Sequence, residues 1–333
     1  MHPQWVAVGN RAMDDLSSPV TSDAETDWVM QLRDNVGRVV VGKSNIVELM
    51  LVAVLCEGHV LLEDMPGMGK TLLAKTFARS LDCSFRRIQF TPDLLPSDIS
   101  GSRVFNQQTA QFEFRPGPIF AQVVLADEIN RATPRTQAAL LEAMEERQVT
   151  TDGVTASLER PFLVVATQNP VEIEGTFPLP EAQLDRFLMR LRLGYPSAAE
   201  EDTIIQRAGR VDPVAGIAPV IQPAEVAEMQ SRMDAVRMSD DVRRYLLAVI
   251  RATRQSTDIR LGGSPRASVA LYRAAHALAW VRGRDYVRPD DIKELFPLVL
   301  AHRIVLSADA SLKIGDPEIV LGHILEQVPV PAE

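Results

Sequence analysis

Gly67-Met68-Gly69-Lys70-Thr71 combines residue types that suit a polyphosphate. Its two glycines let main-chain N–H groups close on phosphate oxygens in conformations that a Cβ would forbid. Lys70 brings a point charge for the outer phosphates, and Thr71 a hydroxyl of the kind that ligates Mg²⁺. The stretch Pro66 to Leu72 follows an apolar run, Val60-Leu61-Leu62, and precedes a helical pattern carrying Leu73, Phe77 and Leu81. That is the strand, loop and helix order of a phosphate-binding loop. The general pattern G-x-x-x-x-G-K-S/T opens with glycine where this chain has Asp64, so a chance turn before a helix competes for these residues alone.

Asp127-Glu128 closes a second apolar run, Val123-Val124-Leu125-Ala126. An Asp at the end of a buried strand can hold Mg²⁺, and the next acid, turned the other way, can polarise an attacking water. Acids at strand ends are common; their place after a phosphate loop is what gives this pair meaning. Asn169 ends another apolar run, where an amide can reach a γ-phosphate and its attacking water; an ordinary loop Asn before Pro170 is the alternative. Arg186, in Leu184-Asp185-Arg186-Phe187, is either a surface Arg paired with Asp185 or an arginine finger offered to a neighbouring subunit. Arg266 stands in the first turn of a helix that Ser264 caps and Pro265 starts. A cation there opposes the helix dipole by about 0.3–1 kcal/mol, which a nearby phosphate would offset and an exposed surface would tolerate.

These residues must be positioned by elements that the hydrophobic pattern outlines. Strands are expected at about 60–63, 87–90, 123–126, 162–166 and 187–193, separated by helices. Near-continuous apolar strands alternating with helices indicate a parallel sheet covered on both faces. Val104-Phe105 and Phe112-Glu113-Phe114 look like the arms of one hairpin, and Asp152-Gly153 like the turn of another. Thr133-Pro134 and the capping box Ser197 to Glu200 each open a helix. After Tyr195-Pro196 the chain reads as helices only, with stripes at Val242, Tyr245, Leu246, Val249, Thr253 and at Val269, Tyr272, His276, Ala279, and a further helix from Pro289-Asp290-Asp291. The division expected is a flexible tail over 1–26, an α/β core over 27–196 and a helical domain over 197–333.

With 333 residues, 46% apolar and 24% charged, the chain has the composition of a soluble globular protein. Its longest apolar run, Leu49 to Cys56, is too short to span a bilayer, and its N-terminus lacks the order of a signal peptide. Cys56 and Cys83 match no metal or redox spacing; buried thiols in a reducing compartment, the cytoplasm, are the plain reading. A net charge of −9 argues against broad nucleic-acid binding. His59, His276 and His302 have no partner spacing and read as packing or surface residues.

Several longer strings resemble the MoxR family of AAA+ ATPases, from about Val36 to the C-terminus: Gln89-Phe-Thr-Pro-Asp-Leu-Leu-Pro-Ser-Asp-Ile99, Phe114-Arg-Pro-Gly-Pro-Ile119, Leu125-Ala-Asp-Glu-Ile-Asn-Arg-Ala132, Leu141-Glu-Ala-Met-Glu145, Thr167-Gln-Asn-Pro170 and Leu179-Pro-Glu-Ala-Gln-Leu-Asp-Arg-Phe187. The resemblance implies an AAA+ α/β P-loop core with a five-stranded parallel sheet in order 5-1-4-3-2, a hairpin inserted in helix two, a second hairpin before sensor 1, and an all-α lid. It makes Pro66, Gly67, Met68, Gly69, Lys70, Thr71 and Leu72 the Walker A segment, with Asp127 and Glu128 as Walker B. Asn169 becomes sensor 1, Arg186 the arginine finger and Arg266 sensor 2, and Val41-Gly42 lies beside the adenine. ATP and Mg²⁺ are the implied ligands, the metal on Thr71 and Asp127.

By the same resemblance the protein is a chaperone-like remodeller working as a homo-oligomer, a hexamer, with a von Willebrand factor A domain protein and a protein client. A nucleic-acid motor is the alternative; its hairpin tips would be basic, and Asn106-Gln-Gln-Thr-Ala110 and Thr151-Asp-Gly-Val154 contain no basic residue. A nucleotide-sensing scaffold with negligible turnover is a third reading, which the presence of Glu128 and Arg186 disfavours.

Overall fold

The computed structural model of the protein describes residues 23–151, 153–169, 175–207 and 213–331. Five parallel strands form the central sheet: β1 (Val60–Glu63), β2 (Phe85–Gln89), β3 (Val123–Asp127), β4 (Leu163–Gln168) and β5 (Met189–Leu191). Their spatial order is β2-β3-β4-β1-β5, the order 5-1-4-3-2 read from the other edge.

Side-chain alternation along these strands builds two cores. Val60, Leu62, Val123, Leu125, Leu163 and Val165 face one way, onto α1 (Asp23–Val39), α2 (Ser44–Leu55) and α3 (Lys70–Ser80). Leu61, Val124, Ala126, Val164 and Ala166 face the other way, onto α4 (Pro134–Glu146) through Leu140, Leu141 and Met144. A parallel sheet needs both faces covered because its crossover helices lie on both. The expected hairpins pair over Gly101–Asn106 with Gln111–Pro116 and over Gln148–Thr151 with Val154–Ser157. Asp152 lies outside the described residues; Gly153 beside it has φ +78°.

After the sheet come α5 (Ala198–Arg207), α6 (Asp240–Gln255), α7 (Pro265–Val281) and α8 (Pro289–Leu300). The α6 stripe is buried as expected, and the capping box closes reciprocally: Ser197 N–H donates to Glu200 at 2.7 Å and Glu200 N–H to Ser197 Oγ at 3.4 Å. The α7 stripe is buried only in part: His276 and Ala279 are enclosed as expected. Val269 is 54% and Tyr272 41% exposed, while Ala267, Ala270, Leu271, Ala274, Ala275 and Leu278 are buried against α2 and α8. Small alanines in this seam let helix backbones approach, and Leu271, Leu278 and Trp280 fill the rest of the buried face.

The helical part also carries one short ladder, Ile259–Leu261 with Val305–Leu306. One apolar cluster runs from the sheet through α1 and α2 into α6, α7 and α8, with Trp28 and Trp280 rings 6.3 Å apart. The tail expected over 1–26 falls outside the described residues up to 22, and α1 already begins at Asp23. Burial pushes both thiols, Cys56 and Cys83, up to about 12, so neither is a reactive thiolate. Among the described residues no helix is long and apolar enough to cross a membrane.

Candidate functional site

The loop after β1 turns at Gly67 (φ +83°) and Gly69 (φ +81°), left-handed conformations that favour glycine. A Cβ at either would meet no atom within 4 Å, so the inner surface of the loop opens into a cavity. That cavity, about 410 Å³, is lined by Pro66 through Leu72 and by Arg87, Asp127, Glu128 and Asn169. The expected phosphate-loop residues, both strand-end acids and Asn169 therefore share one space. Lys70 Nζ spans the loop to donate to the Asp64 carbonyl at 2.7 Å. Burial pulls the Lys70 pKa down, against the carboxylates of Asp127, Asp64 and Glu128.

Polar residues from neighbouring strands hold the two acids. Thr167 Oγ1 donates to Asp127 Oδ1 at 2.7 Å and accepts from Glu128 N–H at 2.8 Å, fixing both residues from β4. Arg87 Nε donates to Asp127 Oδ2 at 3.0 Å. Glu128 has φ +57°, which turns the chain sharply at the end of β3. Its Oε2 accepts from Gln89 Nε2 at 2.7 Å and from Arg131 Nη1 at 3.0 Å. Arg87, Gln89, Thr167 and Arg131 were not singled out by sequence reasoning. The usable signal was Arg87-x-Gln89, polar residues at period two on the strand beside β3, with Gln89 in register with Asp127.

The Thr71 hydroxyl and the Asp127 carboxylate are hard oxygen donors on the wall of one cavity, a set that fits Mg²⁺ with water completing its shell. Val41 and Gly42 lie outside the lining of this cavity. Gly42 (φ +73°) packs under Glu200, whose carboxylate occupies the place of a Cβ.

Arg186 and Arg266 are elsewhere. Each binds Glu145, Arg186 Nη2 to Oε2 and Arg266 Nη2 to Oε1, both at 3.1 Å. Arg266 Nε is 3.7 Å from Asp185, whose other oxygen accepts from buried Arg303 at 2.8 Å. Ser264 caps α7 as expected, accepting from Ala267 N–H at 3.2 Å. The cation in the first turn is thus balanced by carboxylates. This cluster lines a separate cavity of about 220 Å³ with Gly58 and His59, at the start of β1, and five arginines face three carboxylates there. The phosphate loop begins at the other end of β1, a four-residue strand, so roughly 13 Å of backbone separates the two sites.

A parallel sheet in this order, a glycine loop after its β1 strand, paired acids on β3 and a helical lid define a P-loop ATPase fold of the AAA class. Residues 59–189 match the ATPase family associated with various cellular activities (AAA), and residues 251–321 match the AAA lid domain. The chain is 49% identical over 300 residues to the uncharacterized protein YeaC of Bacillus subtilis, covering 90% of this chain and 94% of that one. It is 46% identical to Chaperone MoxR1 of Mycobacterium tuberculosis, over 89% of this chain and 80% of that one. It is 36% identical to protein MoxR of Paracoccus denitrificans, over 85% and 91%. The crystal structure of a candidate ATPase from Cytophaga hutchinsonii superimposes with a TM-score of 0.86 at 39% identity, covering 92% of this chain and 96% of that one. The chain belongs to the MoxR family of AAA+ ATPases.

Proposed function

We propose that the protein is a ring-forming, Mg²⁺-dependent ATPase that remodels client proteins, with each ATP hydrolysed between two subunits. The observation that carries this reading is the placement of Arg186 and Arg266 at the start of β1, away from the phosphate cavity at its end. A subunit in this conformation does not bring its own arginines to its own phosphates. Two guanidiniums on one partly exposed carboxylate are suited instead to a polyanion presented by a neighbour.

In this reading the N–H groups of Gly67 to Thr71 and the Lys70 ammonium bind the β- and γ-phosphates. Thr71 and Asp127 hold Mg²⁺, which supplies charge neutralisation of the phosphate oxygens when bound. Glu128 takes the proton of the attacking water as its oxygen bonds to the γ-phosphorus and the bond to ADP breaks. Asn169 orients that water. The neighbour's Arg186 and Arg266 neutralise the charge that develops. Val41-Gly42 flanks the base; Lys43, next in sequence, reaches the same exit segment as Asp64 at the head of the loop.

Gln89 and Arg131 hold Oε2 of Glu128, which leaves Oε1 to meet the water. The hexameric state, the von Willebrand factor A domain partner and the cytoplasmic setting extend the reading by family resemblance. The chaperone name of the mycobacterial relative supports a protein client. A hinge near Pro196, where the helical part begins, would carry the response to phosphate loss.

The test is ATPase rate per subunit against protein concentration, with an equal mixture of Lys70→Ala and Arg186→Ala. Rising specific activity and partial recovery in the mixture are expected. Flat activity and no recovery would rule out a shared site.

A further inference from the structure

The chain leaves the sheet through Leu193-Gly194, and two side chains hold all of that segment's main-chain hydrogen-bonding groups. The Asp64 carboxylate accepts from Leu193 N–H and, at 3.2 Å, from Gly194 N–H. The Lys43 ammonium donates to the Leu193 carbonyl at 2.7 Å and to the Gly194 carbonyl at 3.2 Å. Asp64 is only 9% exposed, and a buried carboxylate needs such donors. Both side chains belong to segments at the nucleotide: Asp64 heads the phosphate loop and takes Lys70 Nζ on its carbonyl, and Lys43 follows Gly42.

Beyond the exit, α5 is placed by polar contacts. Glu200 packs on Gly42, and Arg207 donates to the carbonyls of Gly37 and Arg38 at 3.1 and 2.9 Å. The helix buries none of its residues, and Ile205 is 67% exposed. An element with so little apolar packing takes its position from whatever fixes its ends.

We infer that Asp64 and Lys43 are positioning residues that aim the exit of the sheet so that α5 covers the Val41-Gly42 side of the nucleotide. Glycine at position 64, as in the general phosphate-loop pattern, would leave the Leu193 and Gly194 N–H groups without this acceptor. The carboxylate thus gives the loop a second role. Its backbone serves the phosphates while its side chain sets the cover over the base. This rests on the reading that Val41-Gly42 flanks the base.

The test compares wild type, Asp64→Asn and Lys43→Gln as full chains. Calorimetry with Mg²⁺ gives Kd for ADP and for pyrophosphate, which occupies the phosphate loop alone, and hydrogen exchange is followed over residues 188–207. Asp64→Asn keeps the carbonyl that Lys70 uses, and Lys43→Gln leaves the loop intact. In both variants ADP should weaken by about five-fold, the loss of one or two hydrogen bonds, while pyrophosphate stays within about two-fold. Exchange over 193–207 should quicken by about ten-fold, one factor of ten per 1.4 kcal/mol. Equal weakening of both ligands in Asp64→Asn would make Asp64 a part of the loop's own shape and overturn the inference. So would unchanged ADP affinity and exchange in the two variants. A wild type that binds ADP no better than pyrophosphate would refute the base-side reading, and the inference with it, while leaving the shared-site test untouched.

Discussion

Arg186 and Arg266 meet on a single carboxylate, each 3.1 Å from a different oxygen of Glu145. The residues are eighty positions apart in sequence, one before the last strand and one in the first turn of α7, yet they act on the same point in space. A partly exposed pair of this kind contributes only about 0–1 kcal/mol to stability, so either arginine can be replaced at little cost to the fold.

Because the two arginines are neighbours, Arg266 should behave as Arg186 does. Arg266→Ala mixed with Lys70→Ala is expected to recover turnover, and Arg266→Ala mixed with Arg186→Ala is not, since both lesions lie on the donated side. Phosphate release in the three pairwise mixtures decides this. Recovery from the Arg186 and Arg266 mixture would place the two residues at different sites.

Glu128→Gln should retain ATP binding and lose hydrolysis by about 10²–10⁴-fold, the usual contribution of a positioned base. Calorimetry and phosphate release on one preparation check both halves. Turnover within ten-fold of wild type would remove Glu128 from the role of base.

Arg87 donates to Oδ2 of Asp127, the carboxylate proposed to hold Mg²⁺. Arg87→Ala should lower the Mg²⁺ concentration for half-maximal ATPase activity by about three-fold, because a competing cation and its repulsion are both removed. A raised Mg²⁺ requirement would show that Arg87 supports the metal rather than competing with it.

His59 is fully enclosed: its Nδ1 accepts from Val164 N–H at 3.0 Å, and Nε2 donates to the Met144 carbonyl at 3.1 Å. Burial pulls its pKa from 6.5 down to about 4. The folded protein keeps it neutral while the unfolded chain takes up a proton, so stability falls as pH drops from about 6.5 to 4, by about 3 kcal/mol in total. Above pH 6.5 this group adds no pH dependence. Buried His302 acts in the same direction. Urea midpoints between pH 4 and 7.5 should show a shallower decline for His59→Gln than for wild type; equal slopes would assign the acid loss to other groups.

The sheet and the glycine loop after β1 were legible because each depends on local signals. Short apolar runs such as Val123 to Ala126, alternating with helical patterns, fit buried parallel strands, and glycines 67 and 69 sit where φ is positive. The residues that hold the acids were not legible, because Arg87, Gln89 and Thr167 gain meaning only from register with a strand distant in sequence. The face of α7 was legible only in part: His276 and Ala279 are buried as read, but Val269 and Tyr272 are exposed. Its buried side is rich in alanine, whose value lies in the closeness of α2 and not in its own size. The Asp64 departure from the loop pattern is intelligible only with Leu193 beside it.

β1 is four residues long, with Asp64 following its last residue. At its other end the His59 carbonyl accepts from Leu188 N–H at 2.8 Å, two residues after Arg186. Hydrogen-bonded on both sides to β4 and β5, the strand is fixed in the sheet at both ends. In an assembly where Arg186 serves a neighbour, this strand would be the short link between the phosphate loop of one subunit and the arginine that subunit lends to the next.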